Sequence, residues 1–245
     1  MIGNVVAGLY GAKAPLNYSQ TILADNPVGF WLLNDTSGST ATDLTANGNN
    51  FTYIASPTLN VTTGLTGVTK GVTYNGTSQY VKSAKVATFN MSADQSWSIE
   101  GWFKTSSSAL GTVFMFRDDS GNNTGMGGGL FVNLTANKAS AFTADSSGNS
   151  LVIVSSTTIN TGAWFYACVT AASGGAMTLY INGTSEGSTS TTRNSTPVSK
   201  IVTTGAQAST SPAFTTFLNG SSAAIAIYNT TLSSGRVLAH YNAGL

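Results

Sequence analysis

The chain has 245 residues, of which 41% are hydrophobic and only 8% charged, and its net charge is +1. That hydrophobic content supports a sizeable core and excludes wholesale disorder, while near-neutrality leaves no electrostatic footprint for nucleic acid or an anionic membrane. No apolar run reaches the roughly 18 residues that a membrane-spanning helix needs.

Polarity comes instead from Ser, Thr, Asn and 27 Gly, a balance common in proteins outside cells. Yet the start, MIGNVVAGLYGAKAPLNYSQ, lacks the basic leader region of a secreted chain, its first Lys being Lys13. Release by lysis as part of a virus particle reconciles the two; an upstream start missing from the sequence is the other reading. Residues 1–16 are apolar, rich in Gly and Ala, and read as an arm. Val5, Val6, Leu9 and Tyr10 point to ordering against a neighbouring subunit, since a solvated tail rarely keeps such side chains.

Phe30, Trp31, Leu32 and Leu33 open the first strand. The run after them, DTSGSTATDLTANGNN, is almost wholly small and polar, either a linker or one loop of a loop-rich β fold. Further on the dominant period is two. In SWSIEGWFK, Trp97, Ile99, Gly101 and Phe103 alternate with Ser98, Glu100, Trp102 and Lys104. LVIVSSTTI, AWFYACVT and MTLYING are β-branched and aromatic, as strands favour, and turns such as YNGT, DSSGN and ING supply the positive φ of tight hairpins. The lone Cys168 cannot form an internal disulfide and reads as a buried thiol. GSTSTTRNSTPVSK (187–200) is the best linker candidate, but strand-like IVTT resumes after it, so one domain, 17–245, follows the arm. Only TTLSSGRVLAHYNAGL reads as helix: Ser233 or Ser234 caps it, Val237, Leu238 and Tyr241 fall at helical spacing, and Gly244 stops it. Strand-sized runs between such turns predict an antiparallel sandwich or barrel.

The order of these landmarks resembles the laminin-G-like modules of the concanavalin A-like lectin/glucanase superfamily, as found in tailed-bacteriophage virion proteins. ADNPVGFWLLND resembles the first strand, and the polar run through DLTANGNN the loop after it. GVTYNGTSQYVK is similar to the F-x-G-x-x-x-Y strand and turn, and SWSIEGWFK to the sfTvEaW strand. GAWFYACVT and MTLYINGTSEGS resemble the tWyHvA and lYvNG hairpin. LNGSSAAIAIYNTTLSSGRVLAHYNAGL resembles the closing strand and terminal helix. The resemblance spans about residues 17–245 and implies an all-β jelly-roll sandwich of two antiparallel sheets with a short C-terminal helix. It also implies that the polar run is an ordered loop, with the aromatic residues before it facing the core.

Members of this superfamily bind glycans, hydrolyse them or build particles, so the residues have to choose. Hydrolysis needs two carboxylates flanking the bond, and no strand here carries alternating acids. The only glutamates are Glu100 and Glu186, and Asp118 and Asp119 are adjacent and would diverge on an extended chain; no enzyme is expected. His240 has no Cys or second His partner and reads as a helix-packing residue. GMGGGL lacks the Lys-Ser/Thr of a phosphate loop and reads as a turn. No cofactor is expected beyond calcium, which the resemblance brings in: Asp43, with the carbonyls of the ANGN loop, is its candidate ligand. Ala223 and Ala224 stand where the family often carries acids. Glu100 and Trp102 share one strand face and form the candidate glycan site, with Trp31 or Tyr80 able to join them and sheet packing as the competing reading. The Asn-X-Ser/Thr triplets at Asn60, Asn75, Asn133, Asn182 and Asn229 follow from composition.

The expectation is a non-enzymatic virion protein of a tailed bacteriophage, capsid-decorating or in the minor tail. Its partners are other capsid or tail subunits, further copies of itself, and host-surface glycans. The alternative is a glycan-binding adhesin module of a phage receptor-binding protein or of a bacterial surface protein.

Overall fold

The computed structural model of the chain describes residues 16–86, 89, 95–118, 127–144, 150–189, 200–208 and 213–245. Among these, two eight-stranded antiparallel sheets pack face to face. The first runs β14 (Thr184–Thr189), β13 (Met177–Ile181), β12 (Trp164–Ala171), β7 (Trp97–Lys104), β18 (Asn219–Tyr228), β5 (Lys70–Asn75) and β4 (Thr58–Thr62), with β1 (Gly29–Trp31) also paired to β18. The second runs β11 (Ser150–Thr158), β10 (Lys138–Ala144), β9 (Gly128–Val132), β8 (Gly111–Arg117), β15 (Ile201–Thr204), β6 (Tyr80–Ser83), β3 (Phe51–Ile54) and β2 (Thr40–Ala41). A small hairpin of β16 (Gln207–Ala208) and β17 (Phe214–Thr215) completes the strands. This is the expected jelly-roll sandwich, with the terminal helix α2 at Ser234–Gly244 and Ser233 as its N-cap. No helix among the described residues is long and apolar enough to cross a membrane.

The interior follows from the period-two patterns. Trp97, Ile99 and Phe103 of β7 meet Phe51, Val81, Phe114, Phe116 and Leu130 of the opposite sheet. Trp31 lies stacked on Phe51 with ring centroids 3.7 Å apart, and Trp97 meets Phe116 edge-on at 4.9 Å. Burying each such side chain contributes on the order of 1.5–3 kcal/mol.

β18 is the seam of the first sheet. One edge pairs with β7 between Ser221 and Tyr228, while the other pairs with β5 over Asn219–Ser222 and with β1 over Ile225–Ile227. A bulge between Ala223 and Ala226 marks the change, with Ala224 at φ +52 and its N–H donating to Leu32 O.

Two expectations are corrected. A second helix exists, α1 (Tyr18–Leu23), where Asn17 Oδ1 accepts from Gln20 N and Gln20 Oε1 accepts from Asn17 N. This reciprocal cap satisfies two otherwise orphaned donors and makes so short a helix worthwhile. β7 also departs from its alternating pattern, because every residue before Lys104 is buried. The reason is a second apolar cluster on the outer face of the first sheet, where Trp102, Tyr166, Cys168, Ala223, Ala224 and Tyr228 are roofed by Tyr18 and Ile22 of α1 and Val237 of α2. Ala223 and Ala224 lie under this roof.

Candidate functional site

Beneath the roof the structure assembles charged residues from both ends of the chain. Glu100 points to the outer face of β7 and is 0% exposed. Tyr166 Oη donates to its Oε2, and Tyr228 Oη donates to Oε1 at 2.7 Å. His240, also 0% exposed, places Nδ1 3.0 Å from both Glu100 oxygens and Nε2 2.6 Å from Asp25 Oδ2. Arg236, one turn earlier on α2, donates from Nε to both Asp25 oxygens at 3.0 and 2.8 Å. Arg236, Asp25, His240 and Glu100 thus alternate in sign from the surface inward.

Burial alone would lower the His240 pKa, but Glu100 and then Asp25 outweigh it and hold the imidazole above its ordinary value. Burial, reinforced by the charge of Glu100, pushes the Tyr18, Tyr166, Tyr228 and Cys168 groups up. The buried thiol is therefore an unreactive one. Chemically this arrangement is a fastening, with Glu100 and His240 wholly buried at its inner end. It corrects the expectation of a sugar platform at Glu100 and Trp102: both side chains are buried, at 0% and 1% exposure, so a surface glycan touches neither. His240 does pack the helix, but through ion pairs with two carboxylates. One of them, Asp25, had no mark in the sequence as a partner.

Asp43, the candidate calcium ligand, is 5% exposed and serves as a strap. Its Oδ1 accepts from Phe30 N at 3.0 Å and Thr45 N at 2.9 Å, and its Oδ2 accepts from Thr45 Oγ1 and Asn49 N, each at 2.9 Å. Four donors fill the lone-pair capacity of a carboxylate, leaving a cation no place without breaking them. Among the described residues no three His, Cys, Asp or Glu side chains gather in a metal-binding group. The polar run after the first strand is an ordered loop: Trp31 Nε1 donates to Asn49 O at 2.8 Å, and Asn47 Nδ2 donates to Val28 O at 3.1 Å. Trp31 itself is wholly buried in the sandwich.

Tyr80 is the sequence candidate that reaches solvent. It is half-buried on β6 and stacks on Phe214 of β17, centroids 4.3 Å apart and planes at 23°, with Phe217 at 6.1 Å. Lys82, two residues along the same strand face, brings Nζ within 5.4 Å of the Phe214 centroid. The four side chains form a part-exposed aromatic platform with one cation, and sequence spacing gave no hint that Phe214 and Phe217 would join it. Val5, Val6, Leu9 and Tyr10 of the arm lie outside the described residues, as does Asp119.

A family model described as the concanavalin A-like lectin/glucanases superfamily, of laminin G type, matches residues 75–238. No curated protein matches the sequence. Similar solved structures include the receptor-binding domain of a botulinum neurotoxin C/D mosaic serotype (16% identity, TM-score 0.65, covering 89% of this chain and 51% of that one). The botulinum neurotoxin serotype D ligand-binding domain, in complex with N-acetylneuraminic acid, is 15% identical with TM-score 0.63 (91% and 52%). The binding domain of Paraclostridial Mosquitocidal Protein 1 is 17% identical with TM-score 0.62 (90% and 52%). At such identities the likeness is one of fold, and the chain spans about half the length of each of these structures.

Proposed function

The chain belongs to the concanavalin A-like lectin/glucanases superfamily, and from that premise we propose that it is a non-catalytic recognition module displayed on the virion of a tailed bacteriophage. Its lectin-like jelly roll faces outward from capsid or tail, and the arm of residues 1–16 docks it to neighbouring subunits. The observation that carries the non-catalytic reading is the use of the acids. Asp25 and Glu100 bind His240, and Asp35 accepts from Tyr53 Oη. Asp43 straps its loop, Asp118 pairs with Lys85, and Glu186 accepts from the backbone and hydroxyls of Ser156 and Thr157. No two of these described carboxylates flank an open groove as glycosidic cleavage requires.

The platform of Tyr80, Phe214, Phe217 and Lys82 supports glycan attachment, since pockets and faces that hold ligands combine aromatic surface with few polar groups. The structural neighbour solved with N-acetylneuraminic acid adds support for an acidic sugar as the ligand, with Lys82 as its counter-charge. The adhesin alternative shares this platform and differs only in where the module is carried. Mass spectrometry and antibody labelling of purified particles separate the two: the protein in stoichiometric amounts on the particle supports the virion reading, and its absence there rejects it. A glycan array with the wild-type protein and Tyr80→Ala tests the ligand, and equal binding by both rejects the platform.

A further inference from the structure

Both ring nitrogens of the fully buried His240 face carboxylates, Nδ1 at 3.0 Å from Glu100 and Nε2 at 2.6 Å from Asp25. A neutral imidazole has one N–H, so it donates to one carboxylate and turns a lone pair toward the other; only the imidazolium donates to both. With His240 protonated, the charges of Arg236, Asp25, His240 and Glu100 cancel. Without that proton one carboxylate charge lies uncompensated beneath the helix, where burial is expensive. The remaining titratable groups facing this point are Tyr18 of α1, Tyr166 and Cys168 of β12, and Tyr228 of β18. All four are raised by burial and by Glu100, so they stay neutral over the range in which His240 titrates.

The rest of the attachment is short-range. Thr66 N donates to Leu245 O at 2.8 Å and Gly67 N to Gly244 O at 3.2 Å. The turn into α2 is pinned separately, by Ser98 Oγ donating to Thr230 O and accepting from Leu232 N, both at 2.9 Å. This pin does not involve His240 and makes the turn a natural hinge.

We propose that α2 is a pH-gated clasp: it closes over the first sheet while His240 is protonated and swings open when that proton leaves, uncovering Cys168 and the aromatic face around it. The imidazole is held above its ordinary 6.5, so the clasp is fully fastened below that value and loosens as pH rises through the higher, folded-state value.

The chain has one histidine, on the buried face of α2, and one cysteine, in the apolar cluster that α1 and α2 roof together, so each signal has a single source. The ring resonances of His240 give its titration by NMR. The maleimide reactivity of Cys168, normalised at each pH to an unstructured cysteine peptide, gives the opening. The expected result is protection at pH 6, a labelling rate that climbs by up to about tenfold per pH unit between 6.5 and the His240 midpoint, a plateau above that midpoint, and an unchanged far-UV strand signal. Asp25→Asn removes a carboxylate and moves both midpoints down together. Arg236→Gln, on a side chain 39% exposed, removes a cation and moves both up, which keeps the test open if the first variant does not fold. Labelling that stays flat with pH, a labelling midpoint that fails to follow the shifted histidine titration, or loss of the strand signal in step with labelling overturns the clasp.

Discussion

Asp43→Ala removes an acceptor that serves three backbone N–H groups and one hydroxyl. The Phe30 N–H is buried and loses this partner, at about 1–3 kcal/mol; part-buried Thr45 and Asn49 recover water and lose about 1 kcal/mol per residue. The sum, about 3–5 kcal/mol, is a large share of an ordinary stability of about 5–15 kcal/mol. For a chain of this length it lowers Tm by about 10 °C. Asp43→Asn keeps one acceptor but sets its amide group against another donor, so it falls between wild type and alanine. The assay is thermal and urea denaturation of all three proteins, with calcium and with a chelator. A strap gives the same losses in both conditions. If calcium raises the wild-type Tm and Asp43→Asn abolishes that rise, the carboxylate is a metal ligand and the reasoning from filled lone pairs is wrong.

Other outcomes follow from single contacts. Burial alone would raise the Glu186 pKa, but hydrogen bonds from Thr157 and Ser156 hold it below its ordinary value, so its contribution is present above about pH 4.5 and is lost as pH falls through the folded value. Glu186→Gln costs about 1 kcal/mol at neutral pH in this part-exposed setting, and urea titrations of variant and wild type converge in acid. In Gly67→Ala a Cβ would lie 2.0 Å from Ala243 O, so the loop or the end of α2 must shift; about 1–3 kcal/mol is lost, and Cys168 labelling at neutral pH rises. If the proposed virion reading holds, deleting residues 1–15 leaves Tm within a few degrees but abolishes incorporation into the particle or oligomer, as measured by co-sedimentation; a sharp fall in Tm would place the arm in the protein's own core.

The sandwich was legible because strand alternation and Asn-Gly turns are local signals. SWSIEGWFK announces its inward residues, and the closing helix announces its cap at Ser233. The roof was not legible, because burial of the other strand face depends on what the chain brings there from far away. Glu100 and Trp102 sit at positions that alternation assigns to solvent, and only α1 and α2 reverse that. The NYSQ cap of α1 was readable, but six residues carry too little periodicity to declare a helix. Pairing of Asp25 with His240 joins opposite ends of the sequence, which no spacing rule reaches. Phe214 and Phe217 likewise meet Tyr80 only through tertiary packing.

The seam strand also dictates the order in which the protein can be made. Gly29 pairs with Ile227, and β7 and β5 meet only through β18. Until the ribosome delivers that last strand, the first sheet exists as two fragments with facing unpaired edges, and β1 has no partner at all. Closing so long a loop is entropically slow, and exposed edges in the interval invite pairing with other nascent chains. A protein wired in this way completes its sheet only once β18 has been made, and the stretch of chain between β7 and β18 sets how long those edges wait.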